Sequence, residues 1–168
     1  MDSPICASLW SKIEEQIERT DHLVAILPDA CVDWAPPIPG AWSAGVLLGH
    51  LLECLAGFCA VLYAAEPGRL AHFQLLRGLP VNHRCAIPEA RERIRTYRER
   101  LEEGLALLQD ADLARRLPTV FVSDGETILT LLLGNLEHLI NHKHQLFTYL
   151  KLMGAPVSSH DLYRFRTG

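Results

Sequence analysis

Apolar residues recur at three- and four-residue intervals along most of this chain, the spacing that places them on one face of a helix. The first run, Ile5, Leu9, Ile13, Ile17, Val24 and Leu27, opens at Ser3-Pro4, a capping residue ahead of a proline suited to the first helical turn, and stops at Pro28. A second helix opens at Ser43 as N-cap and fades near Glu66-Pro67-Gly68; Trp42 before the cap and Leu47 four residues after it have the arrangement of a hydrophobic staple. The third opens at Pro88-Glu89 and carries the stripe Ala90, Ile94, Tyr97, Leu101, Leu105 and Leu108, with charge on its other faces. In the fourth, Ser123 and Glu126 read as a capping box, while Gly154 and Pro156 supply the stop. Strand-like alternation is absent, although Thr119-Val120-Phe121-Val122 reads as briefly extended, and the proline-rich Trp34-Ala35-Pro36-Pro37-Ile38-Pro39-Gly40 cannot be regular structure.

Four helices, each with one apolar stripe, bury those stripes together as an all-α four-helix bundle, a single domain over residues 1–168. The connection between helices two and three, from about residue 65 to 87, is too long for a hairpin turn and long enough to cross the whole bundle. Helices two and three then run parallel, the order is up-down-down-up, and helices two and four are antiparallel.

Composition narrows the classes of function. A net charge of −4 and a pI near 6.0 leave no basic surface for phosphates, so no nucleic-acid partner is expected. The run Arg91-Glu92-Arg93-Ile94-Arg95-Thr96-Tyr97-Arg98-Glu99-Arg100 mixes signs as a solvated helix face does. Neither a basic leader followed by an apolar run nor an apolar stretch of roughly 18 to 20 residues is evident, so no membrane association is expected and the protein reads as cytoplasmic. The five cysteines, Cys6, Cys31, Cys54, Cys59 and Cys85, are odd in number and form no CxxC, so they read mostly as small core residues. A homodimer through exposed bundle faces is expected, but no surface stripe singles out the interface.

The chemistry concentrates in Asn135-Leu136-Glu137-His138-Leu139-Ile140-Asn141-His142. Two imidazoles four residues apart share a helix face, and they lie on the stripe Leu131, Asn135, His138, His142, Leu146, Tyr149, Met153, which reads as inward-facing. A buried imidazole needs a backbone carbonyl, another polar side chain or a metal ion as partner. His50 lies on the matching stripe of helix two, Val46, His50, Cys54, Gly57, Val61. At about 1.5 Å per residue His50 sits roughly 10 Å from the start of its helix and His142 roughly 18 Å from the end of helix four, so antiparallel packing nearly aligns them. His50, His138 and His142 therefore read as a three-histidine metal site with a position left open for water or substrate, as in catalytic sites. Nitrogen-only ligation suits zinc, nickel, iron(II) or cobalt.

Around it, Cys54 is a possible extra ligand or a buried thiol, and Glu53 a hydrogen-bond acceptor, a general base or a solvated carboxylate. His83, in the long crossover, is placed to fold over an open site. His22, His72, His144 and His160 read as surface or interface residues.

Two ordered blocks, Pro39-Gly40-Ala41-Trp42-Ser43 leading to Gly49-His50-Leu51 and His138-Leu139-Ile140-Asn141-His142-Lys143-His144-Gln145-Leu146 leading to Tyr149-Leu150 and Gly154, make the chain resemble the DinB/YfiT-like superfamily of metal-binding bundles. The resemblance implies His50, His138 and His142 as ligands of a divalent transition metal, zinc or nickel foremost. It also implies a low-molecular-weight thiol as co-substrate, since members include thiol transferases and thiol-dependent isomerases. Lys143-His144 stands where the family often has Arg-Gly, which leaves the ligands intact.

The expected function is a metal-dependent S-transferase joining a thiol to a small electrophilic substrate. The alternatives are metal-assisted hydrolysis, a non-catalytic metal- or ligand-binding protein, and a bundle whose histidines merely hydrogen-bond to one another or to trapped water.

Overall fold

The computed structural model describes residues 3–119, 122 and 124–164. Four helices carry the fold: α1 (Pro4–Ile26), α2 (Ala44–Ala65), α3 (Ile87–Leu105) and α4 (Ile128–Leu152), followed by a single turn, α5 (Ser159–Leu162). Short 3₁₀ segments occupy Asp29–Cys31, Ala71–Gly78 and Asp110–Ala114.

Cross-bundle contacts establish the direction of each helix. Gly45 and Gly49 near the start of α2 meet Arg84 and His83 just before α3, while Gly104 near the end of α3 meets Leu62 near the end of α2, so α2 and α3 are parallel. Tyr149 late in α4 bonds to Trp42 just before α2, and Asn135 earlier in α4 meets Gly57 of α2, so these two are antiparallel. Arg98 of α3 pairs with Glu14 of α1, and Arg91 with Asp21, which makes α1 and α3 antiparallel. The up-down-down-up order follows, with the crossover at residues 66–86.

The helix ends follow the sequence at some points and depart from it at others. Ser43 caps α2, its hydroxyl accepting from the Val46 N–H at 3.3 Å. Ser3 occupies the cap position of α1, yet its hydroxyl donates to Gln109 instead. The free N–H groups of that first turn are taken by Asp110, which accepts from Ile5 and Cys6. Ser123, expected to cap α4, lies outside the described residues, as do Val120 and Phe121. Thr127 is the residue that caps α4, accepting from the Thr130 N–H at 3.1 Å. Glu126 sits one residue earlier in a two-residue strand, β2 (Glu126–Thr127), paired antiparallel with β1 (Arg116–Leu117). Gly125, at φ +73, lets the chain turn there, since a side chain would run into the Leu117 carbonyl at 2.3 Å.

The core contains the stripe expected of α3, with Ala90, Ile94, Tyr97, Leu101, Leu105 and Leu108 all buried. On α4 the deepest line is Ile128, Leu132, Leu136, Leu139, Lys143, Leu146 and Leu150. The histidines lie on the flank of that line and are half-buried, a rotation of roughly one residue from the expected inward centre. α2 is 22 residues long and its most apolar 18-residue stretch has a mean hydropathy of 1.9, so it reaches the length and apolarity of a membrane span that the sequence was not expected to contain. Its most apolar stretch is 67% buried by the other helices, which is how a core helix meets the same criterion.

Lys143 is the polar exception in this core at 2% exposure. Its ammonium donates to Gln16 Oε1 of α1 at 2.6 Å and to the Leu162 carbonyl of α5 at 2.9 Å, and faces the Tyr163 ring. Burial pulls this amine down to about 8 from its usual value near 10.5. Between those two pH values the unfolded chain binds the proton that the folded chain has released, so the contribution of this group to stability rises with pH across that window. The expected gain is about 3 kcal/mol from pH 8 to 10.5. Burial pushes the Cys6 thiol up to about 11 and the Cys54, Cys59 and Cys85 thiols up to about 12, which lowers stability with rising pH over the same range. The contribution of Lys143 is therefore expected as the difference between wild type and Lys143→Met in denaturant titrations.

Candidate metal centre

The site lies between the first half of α2 and the middle of α4, with two irregular segments closing over it. His50 comes from the second turn of α2, and His138 and His142 from successive turns of α4. The loop after α1 is pinned to the start of α2 by the Ala44 N–H bonding to Trp34 O and the Gly45 N–H to Val32 O. It delivers Trp42, whose ring was expected to staple Leu47. The indole lies 4.8 Å from the His50 ring and stacks on His142 at 5.9 Å between centroids.

The three predicted histidines converge. His50 Nε2 is 3.0 Å from His138 Nε2 and 3.1 Å from His142 Nε2. Two ligands bound at about 2.0–2.1 Å to one ion can stand no more than ~4.2 Å apart, and both separations fall inside that limit. The rings are also oriented from behind. His50 Nδ1 lies 2.7 Å from Asn82 Oδ1 and 3.0 Å from Glu53 Oε2, and both atoms are acceptors, so Nδ1 carries the proton. His142 Nδ1 donates in the same way to Gln145 Oε1 at 2.9 Å. Gln145 donates to the Tyr149 hydroxyl at 3.1 Å, which donates to the Trp42 carbonyl at 3.1 Å, so the chain of bonds closes on the residue that stacks against His142. With both Nδ1 positions protonated, the Nε2 atoms of His50 and His142 point their lone pairs into the shared space.

Burial holds the His138 and His142 imidazoles below their ordinary value, and the neighbouring His50 pushes in the same direction; for His142 the Gln145 hydrogen bond works against these effects. Both rings are therefore neutral at neutral pH, the form in which an imidazole binds a metal.

Glu53 takes the acceptor role among those expected for it. It sits behind His50, on the side away from Nε2, so it orients the ring and does not face the reacting position. Cys54 is buried in the core and contributes to no donor cluster among the described residues; burial pushes its thiol up to about 12. His83 does not fold over the site. Its ring turns to Glu89 at 2.9 Å, and the preceding residue, Asn82, reaches His50 in its place. Asn82 adopts φ +56, a conformation asparagine tolerates better than most residues. Neither helical periodicity nor ligand spacing could single it out, because it acts from a loop 32 residues away. His22, His72 and His144 are at least partly exposed, as expected, and the first two pair with Asp161 and Glu103.

If these outer contacts set the ligand geometry, Asn82→Ala and Gln145→Leu should each weaken zinc binding by about 10- to 100-fold without unfolding the protein. Competition with a chromophoric chelator measures this, and unchanged affinity in both variants would show that the bonds to Nδ1 do not matter.

Two cavities lie near this site, and the second is lined by His142. One, of about 450 Å³, continues along α2 from Glu53 over Ala56, Gly57 and Ala60 under the Phe73 and Leu76 cover, with Arg77 at its edge. The other, of about 400 Å³, includes Trp42, His142, Gln145 and Tyr149. A larger groove, of about 1140 Å³ between α1 and α3, holds none of the three histidines and is crossed by the Arg91–Asp21 ion pair.

No curated protein matches the chain. The crystal structure of a DinB-like protein, YjoA, from Bacillus subtilis superposes with a TM-score of 0.71 at 21% identity, covering 94% of this chain and 99% of that one, which shows a shared fold. The DinB superfamily matches residues 12–146, a stretch that includes all three converging histidines, and the chain belongs to that superfamily.

Proposed function

We propose that His50, His138 and His142 hold one divalent transition metal, and that the protein uses it to join a low-molecular-weight thiol to a small electrophile. The observation that carries the metal reading is the pair of Nε2 lone pairs on His50 and His142 at 3.1 Å, with both Nδ1 protons committed to acceptors. Two such lone pairs repel unless a cation lies between them, and a shared proton can serve only one pair of rings, whereas a metal serves all three. Hydrogen bonding among the histidines alone therefore does not account for the arrangement.

Zinc and nickel suit a site of three neutral imidazoles. Bound there, such an ion lowers the pKa of a coordinated thiol or water and supplies a nucleophile near neutral pH. The remaining work belongs to the chain. Asn82, Glu53 and Gln145 keep the rings aimed, Trp42 covers one side, and the cavity of about 400 Å³ lined by Trp42, His142, Gln145 and Tyr149 has room for a small substrate. The thiol as co-substrate is what the resemblance to that superfamily implies.

The test is turnover of an electrophile such as an aryl halide or epoxide by zinc- or nickel-loaded protein, with and without added thiol. Thiol-dependent conjugation that disappears in His142→Ala is the expected result. Turnover without thiol would replace the transferase reading with metal-assisted hydrolysis, and metal binding with no turnover would leave a metal- or ligand-binding protein.

A further inference from the structure

A second group of metal-ligating side chains stands where the crossover enters α3. We infer that His83, Cys85 and Glu89 form a separate transition-metal site, distinct in donors from the three histidines, that clamps the crossover onto the first turn of α3. One imidazole nitrogen, the thiol sulfur and a carboxylate oxygen lie within 4.8 Å of one another. Bonds of about 2.0–2.3 Å allow donors up to ~4.6 Å apart, so a small shift of the flexible Glu89 side chain brings the set onto one ion.

The three donors are presented by backbone that is already fixed. The Asn82 N–H bonds to the Gly49 carbonyl at 3.0 Å and the Cys85 N–H to the Gly45 carbonyl at 2.9 Å, which seats residues 82–85 along α2. Pro88 lies in the opening turn of α3, and Glu89 follows it.

His83 Nε2 faces Glu89 Oε1 at 2.9 Å, so Nε2 is the ring nitrogen that belongs to the cluster, and an ion there would replace their hydrogen bond while the ring proton moves to Nδ1. Nδ1 is buried and has no hydrogen-bond partner, so it lies outside the donor set. Cys85 is fully buried and out of reach of a substrate, which disfavours a nucleophilic role. Solvent reaches the cluster from the side of His83 and Glu89, whose side chains are 29% and 40% exposed. Arg93 is the nearby cation, but its guanidinium stands 3.8 Å from Glu89 and is otherwise held by Pro80 O and the Tyr97 hydroxyl.

A nitrogen, sulfur and oxygen donor set suits zinc or a zinc-like ion such as cobalt(II), and the thiol releases its proton to solvent on binding. The ion would hold the loop next to Asn82, the residue that orients His50.

Cobalt(II) titration of metal-free, untagged protein tests this, because a thiolate ligand gives a near-ultraviolet charge-transfer band that three histidines cannot. The band is expected in the wild type and in the His50→Ala/His142→Ala double variant. It should vanish in Cys85→Ser and weaken in His83→Gln, which keeps the cysteine and guards against a folding defect in the first. Bound cobalt should fall from about two ions per chain to about one in either variant. Cobalt uptake by the wild type without the band, or a band that survives Cys85→Ser, would overturn the inference. Failure of the three-histidine site would leave the band in place, so the two proposals fail separately.

Discussion

His142→Ala is expected to reduce tightly bound transition metal from about one ion per chain at the three-histidine site to below about a tenth of that. Only His50 and His138 would remain as ligands, and two imidazoles do not retain a divalent ion against dilution as three do. The loss also opens the chain of bonds from Gln145 through Tyr149 to Trp42, so the aromatic cover over the site loosens with the ligand. His144→Ala is the matched control, since that imidazole is exposed on the same helix and should leave this ion in place. Elemental mass spectrometry on protein purified without an affinity tag measures the content, with circular dichroism to show the bundle intact. Cys85→Ser as a common background removes any ion held by the second cluster. Metal retained by His142→Ala, or equally lost from His144→Ala, would contradict the site. Acid should mimic the mutation, because protons compete for the same Nε2 lone pairs, although burial delays that competition at His138 and His142.

Gly49→Ala should destabilise the fold by about 3 kcal/mol and weaken metal binding at the same time. A Cβ at this position would stand 1.9 Å from the His83 carbonyl oxygen and 2.8 Å from its nitrogen. Both are backbone atoms, so no rotamer change relieves the contact and the crossover must lift off α2. Lifting it breaks the Asn82 N–H bond to Gly49 and withdraws the Asn82 side chain from His50 Nδ1. Gly134→Ala is the opposite case. It lies exposed within α4 with nothing near its Cβ position, and should stabilise by about 0.5–1 kcal/mol through helix propensity alone. Urea titrations of the two variants measure both effects. Equal stability of Gly49→Ala and wild type would mean that the crossover does not rest on α2 as described.

These two glycines show where reading the chain succeeds and where it stops. Both are simply glycines within helical runs, and nothing in their local sequence separates the one that backs onto a backbone from the one facing solvent. The same holds for Lys143, which local pattern places on α4 but whose acceptors come from α1 and α5. Asp110 caps α1 through Ile5, 105 residues before it, displacing Ser3 from a role that its position alone suggested. Glu53 could be an acceptor, a base or a solvated charge until His50 and Asn82 were seen beside it.

What the sequence determined by itself is whatever rests on short-range geometry. Hydrogen bonds from residue i to i−4 and the 3.6-residue repeat place His138 and His142 on one face, bound the helices at Pro28, Ser43 and Gly154, and leave a connection of some twenty residues that makes α2 and α3 parallel. From that order the alignment of His50 with the α4 pair follows. The tertiary structure alone decided which face lies deepest, which loop atoms close behind the imidazoles, and that His83 turns away to Cys85 and Glu89 while Asn82 takes its place. Those choices depend on side chains from distant segments competing for the same buried polar atoms, and packing settles that competition only once the helices have assembled.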